Sequence, residues 1–148
     1  MRHLCLCAAA VFCLVSCGEK QPAYEANTIP VTLPNGQTIR AEMMIREQDM
    51  MKGMMFRGEM KPDHGMLFFH PKVALMPYWM FQVKIPLDIV WLDADRKVVE
   101  IIQNVPACTT VASQCPTYGG KQPSLYVLEL AGGTAQKYGL RVGESVAF

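Results

Sequence analysis

Four consecutive apolar runs constrain this chain more than any other feature: Gly65 to His70, Tyr78 to Lys84, Leu87 to Asp93 and Lys97 to Gln103. Each is bounded by Pro, Gly or an Asp-rich turn, the pattern of strands separated by punctuation. Met66, Phe68 and His70 alternate with Leu67 and Phe69, and Trp79, Phe81 and Val83 alternate with Tyr78 and Met80. Both faces of these strands are therefore largely apolar, so the strands must be covered on both sides or curl into a barrel. Asp93-Ala94-Asp95-Arg96 closes the last two runs into a hairpin.

The flanking segments extend this pattern. Ile29 to Leu33 and Thr38 to Met44 surround Pro34-Asn35-Gly36-Gln37, and Asn-Gly is a strong hairpin signal. Arg46 to about Met55 reads as a short helix, with Met50 over Met54 and Met51 over Met55. After a Pro- and Cys-containing loop from about Asn104 to Pro123, Ser124 to Leu130 is another strand. Thr134 to Tyr138 is a helical turn capped by Gly139, and Glu144 to Phe148 a closing strand. The expected fold is α+β, a single domain with a curved, mostly antiparallel, barrel-like sheet and short helices.

The N-terminus carries an address. Met1-Arg2-His3 and the apolar run Leu4 to Val15 form the two parts of a signal peptide, and the run is too short to span a bilayer. Leu14-Val15-Ser16-Cys17-Gly18 resembles the bacterial lipobox, in which the Cys thiol accepts a lipid; the alternative is an ordinary secretory signal with a chance cysteine. The expected organisation is a leader over 1–16, lipidated Cys17 with a flexible spacer to 28, and one domain over 29–148. The expected location is the cell envelope, lipid-anchored and facing the periplasm, with Gly18 favouring the outer membrane over the inner. All 13 Asp and Glu lie beyond Cys17 and Arg2 is the only Lys or Arg before it, so the processed chain has no net charge. That balance argues against nucleic acid as a partner and leaves the membrane and a small-molecule ligand.

The chain resembles the DUF192 family, also called UPF0127, over about Ile29 to Phe148. The resemblance rests on Arg46 ahead of Gly53-Met54-Met55-Phe56-Arg57, on Gly65-Met66-Leu67-Phe68-Phe69, and on Tyr78-Trp79-Met80 running into Ile85-Pro86-Leu87-Asp88-Ile89-Val90-Trp91-Leu92. Val127-Leu128-Glu129-Leu130, with Gly133, Ala135, Gly139 and Gly143, completes it. Phe81-Gln82-Val83 stands where the family usually has Lys-Asn-Thr, and Glu144 where it has Asp. The resemblance implies an export-prone domain of this fold and supplies no activity.

Candidate functional residues are few. Cys108 and Cys115 suit a disulfide in an oxidising compartment, since Cys-x6-Cys is neither a redox nor a zinc spacing. Ten methionines remain beyond the leader and, with His64 and His70, they permit copper(I) binding; core packing explains the same residues. Trp79, Trp91, Tyr78 and Phe68 could form a stacking platform or a core. Asp88 shares a strand face with Val90 and Leu92 and needs a partner. Arg57 and Arg46 are the favoured cations, the alternative being a water-filled cleft. With no Ser-His-Asp set, metal signature or phosphate loop, the expectation is a non-enzymatic binding or accessory module without cofactor or metal, its cleft near Arg46, Arg57, Trp79 and Asp88. An enzyme acting on envelope polysaccharide would need Asp88 and Glu129 as its acid pair.

Overall fold

The computed structural model describes residues 27–148, so the leader, Cys17 and nearly all of the spacer lie outside the described residues. Two strands, β1 (Thr28–Thr32) and β2 (Thr38–Met44), form the expected hairpin, and Thr28, counted with the spacer from sequence, already pairs with Glu42. Gly36 takes a left-handed φ of 83°, and the Asn35 side chain accepts from Gln37 N, which is why Asn-Gly makes this turn. The helix α1 (Glu47–Lys52) follows, then β3 (His64–Ala74), β4 (Tyr78–Trp79), β5 (Leu87–Leu92), β6 (Val98–Val105), β7 (Thr117–Tyr118), β8 (Ser124–Ala131) and α2 (Thr134–Lys137). Among the described residues no helix is long and apolar enough to cross a membrane.

Six strands make one mixed sheet in the order β1-β2-β3-β8-β5-β6, with β4 and β7 forming a separate two-stranded ribbon. All sheet pairs are antiparallel except β2 with β3, which α1 connects in parallel. The sheet does not close into a barrel. Its two edges are instead tied by the C-terminal segment: Ala147 exchanges backbone hydrogen bonds with Thr32 at one edge, and Val98 N donates to Glu144 O at the other. Glu144 to Phe148 is therefore not a strand, because it crosses between edges and pairs only at isolated bridges.

Every residue of β5 is buried, as expected of a strand covered on both faces. One core contains Val31, Ile39, Leu67, Val90, Leu92, Leu128 and Leu130 with Ala135 of α2 and Val146. The other contains Met44, Met54, Met66, Phe68, Ile89, Trp91 and Val127 with Met80 and Val83. Register partners on neighbouring strands point to the same face, so Glu42, Met66, Glu129 and Ile89 form one row on the second face. Asp88 and Leu130 form a row on the first.

Tyr78 to Lys84 is not a full strand. Only Tyr78 and Trp79 pair, with Tyr118 and Thr117, and Gln82 turns the chain with a φ of 58°. Phe81 and Val83 bridge to Cys108, which bonds Cys115 at a Cα–Cα distance of 5.9 Å. The loop after β6 thus holds the aromatic segment from both ends. Converting both cysteines to serine is expected to lower the unfolding free energy by about 2.5 kcal/mol, from loop entropy regained by the unfolded chain. Urea titrations of the two proteins measure the difference, and equal midpoints would contradict it.

Candidate functional site

The second face of the sheet carries a cleft of about 680 Å³ between α1 and the segment from Pro77 to Val83. One wall is thioether: Met50, Met51, Met54 and Met55 all line it. Sequence spacing put these on one helical face, but α1 ends at Lys52 and Gly53 reverses the chain, so Met54 enters the core while Met51 is 70% exposed at the lip. Gly53 has a φ of 42°, and a Cβ there would lie 3.3 Å from the Phe68 ring, which accounts for glycine at this corner. The other wall is aromatic, with Phe68, Tyr78, Trp79 and Phe81. Trp79 is 43% exposed and lies 5.0 Å from the Phe81 ring centroid, whereas Trp91 is wholly buried and donates its indole N–H to Met76 O. Of the four aromatics read as a platform, Trp91 belongs to the core.

Glu129 is among the residues lining the cleft and is 5% exposed. Its Oε2 is buried and accepts no hydrogen bond among the described residues. Burial pushes its carboxyl up to about 8, against the pull of the Arg57 charge. Arg57 itself holds Glu42 through two hydrogen bonds of 2.7 and 3.1 Å. Tyr78 Oη and His70 Nε2 share a hydrogen bond of 2.9 Å. Burial, reinforced by the charge of Glu129, raises the Tyr78 phenol, and burial lowers His70.

Asp88 has neither arginine as a partner, which corrects the pairing expected from sequence. Arg46 is 82% exposed and pairs with Asp49 on its own helix. Asp88 is wholly buried on the opposite face of the sheet, where Oδ1 accepts from Asn104 N and Gly133 N and Oδ2 from Ala135 N. The first of these donors sits where the β5–β6 register shifts between Leu87 and Ile89, and the other two open α2. These are backbone groups left over by a bulge and a helix start. Asp88 is thus a backbone clamp, and it shares no cavity with Glu129, so the two do not make an acid pair. Of Arg46, Arg57, Trp79 and Asp88, the four residues expected around the cleft, Trp79 alone lines it; Arg57 acts on Glu129 by its charge. Glu129 itself had one visible mark, a single carboxyl inside the apolar run Val127 to Leu130.

An open mixed sheet with two cores and a ligand-sized cleft defines a small single-domain α+β protein. The DUF192 family model, described as Uncharacterized ACR, matches residues 30–148, and the chain belongs to that family. A crystal structure of a protein of unknown function from Novosphingobium aromaticivorans is similar with 29% identity and a TM-score of 0.71, covering 88% of this chain and 100% of that one. A second, from Sinorhizobium meliloti and described as a candidate transcription regulator, has 26% identity and a TM-score of 0.68 over 81% of this chain and 91% of that one. No curated protein matches.

Proposed function

We propose that this chain is a lipid-anchored envelope protein whose domain binds a small apolar molecule in the cleft and does not transform it. The observation that carries this reading is the cleft itself: 680 Å³ walled by thioethers and aromatic rings, a size and lining typical of small-molecule sites. Asp88 and Glu129 lie on opposite faces, which weighs against the polysaccharide-cleaving alternative. The copper alternative loses support because the methionines are matched with a His70 whose Nε2 is held by Tyr78. Asn27 Nδ2 donates to Met43 O, two residues before Ile45 on the cleft wall, so a tether on Cys17 would join the domain beside the cleft.

The test uses 2-ethylnaphthalene and protein labelled with ¹³C at the methionine methyls. Binding is expected to move the Met50, Met51 and Met55 resonances, and the Trp79→Ala variant to bind about tenfold more weakly through loss of ring contact. Unmoved methyls at saturating probe, or copper co-purifying in stoichiometric amount from reducing buffer, would overturn the reading. The anchor has its own test. Cys17→Ser is expected to leave the precursor uncleaved and absent from the detergent phase on partitioning, since no thiol remains to take the lipid. A processed, detergent-partitioning variant would exclude Cys17 as the anchor.

A further inference from the structure

The row Glu42, Met66, Glu129, Ile89 runs across four strands of the cleft-side face, and its two acids differ completely in how they are satisfied. Glu42 is held at both oxygens by Arg57, while Glu129, flanked by Met66 and Ile89, offers an oxygen without a partner. Buried polar groups are almost always paired, so a lone carboxyl on a cleft wall marks the place of a missing partner. Two neighbouring polar groups are already paired, Tyr78 with His70 and Arg57 with Glu42. We propose that the cleft's ligand is a neutral apolar molecule carrying one hydrogen-bond acceptor, such as a ketone, ester or amide carbonyl, and that the Glu129 carboxyl recognises it by donating its proton.

The proposal rests on the binding reading above and names its ligand class. The chemistry separates it from the two charged alternatives. An ammonium ligand would need Glu129 ionised, and burial that holds the carboxyl near 8 makes this roughly tenfold unfavourable at pH 7. The guanidinium of Arg57, close enough to act on Glu129, would repel such a ligand further. Among the described residues a carboxylate ligand would find only Lys52, on the helix wall, as a lysine or arginine lining the cleft. A neutral carbonyl asks for no change of charge, and it gives the buried acid the acceptor it lacks. The titratable groups around Glu129 and its cleft are Glu42 on β2, Glu47 and Lys52 on α1, Arg57 beyond it, His70 on β3 and Tyr78 on β4, and of these Arg57 acts on its carboxyl.

Three naphthalenes of one shape test it by the methionine-methyl assay: 2-acetylnaphthalene, 2-ethylnaphthalene and 1-(2-naphthyl)ethylamine. At pH 6 the ketone is expected to bind wild type about tenfold more tightly than the hydrocarbon, one hydrogen bond in a dry site. Glu129→Gln keeps a donor and should keep that ratio at every pH. Glu129→Leu keeps the shape alone and should reduce it to about one. In wild type the ratio should collapse as pH rises past 8, a readout that survives even where the leucine variant does not fold. Preference for the amine, or a ketone preference persisting in Glu129→Leu or above pH 9 in wild type, would overturn the assignment. Equal binding of ketone and hydrocarbon would overturn it while leaving the binding cleft in place, whereas failure of all three to bind would remove the cleft reading as well.

Discussion

Asp88→Ala is expected to lower the unfolding free energy by roughly 3 to 5 kcal/mol, although the residue is wholly buried and outside the cleft lining. Its carboxyl accepts three backbone hydrogen bonds of 2.7 to 3.0 Å, from Asn104, Gly133 and Ala135. Removing it strands donors at the β6 bulge and at the start of α2, where Gly133 has no side chain with which to cap the helix. Asp88→Asn is the sharper variant. Its amide oxygen can keep the Asn104 and Gly133 bonds, but its N–H₂ then faces Ala135 N–H, a donor against a donor, at a cost of about 2 kcal/mol. Urea unfolding of both variants gives the numbers. A loss below about 1 kcal/mol in Asp88→Ala would mean the clamp is dispensable. Probe binding by the Met-lined cleft should be unchanged in Asp88→Asn, because Asp88 and Glu129 face opposite cores.

What could be read from the sequence followed local rules, and what could not depended on groups without a letter. The Thr28–Met44 hairpin was legible because Asn35-Gly36 prescribes its own turn, and β5 because an apolar run between Pro86 and Asp93 demands cover on both faces. Strand order was not, since alternation says which side a residue faces and nothing about its neighbour. The insertion of β8 between β3 and β5 is a long-range choice. Tyr78 to Lys84 alternates like a strand, yet it is bent by Gln82 and pinned to Cys108 and to β7, contacts that join residues 25 to 40 positions apart. Asp88 was recognised as needing a partner, but cationic side chains were sought because they are visible as letters. Its true partners are backbone N–H groups, exposed by a register shift and a helix start that only the fold creates. A cleft was expected beside Trp79, but its methionine wall escaped for a similar reason: a single glycine at 53 splits the methionine face into a core half and an open half.

The second large effect lies at Glu129, and its sign is set by burial. The folded protein holds this carboxyl near 8 against an ordinary value of 4.5, so between those limits the unfolded chain releases a proton that the native state keeps. The contribution of Glu129 to stability is therefore fully present below about pH 4.5 and is lost as pH rises through about 8, in total on the order of 4 to 5 kcal/mol. His70 runs the other way. Burial lowers its folded value, so its contribution grows with pH up to its ordinary 6.5 and then stays level. Comparing wild type with Glu129→Gln cancels the histidine and isolates the acid: the glutamine variant should be less pH-dependent between 5 and 8 and should be the more stable protein at pH 8, by roughly 2 kcal/mol after the cost of burying an amide. Urea unfolding at pH 5, 6, 7 and 8 measures both profiles, and parallel curves would show that Glu129 ionises in the native state. A residue that costs stability at neutral pH and can be relieved by a neutral amide is one the fold does not need. At equal free concentration 2-acetylnaphthalene should recover more stability in wild type at pH 7 than 2-ethylnaphthalene, because only the ketone gives the buried acid the partner the sheet withholds.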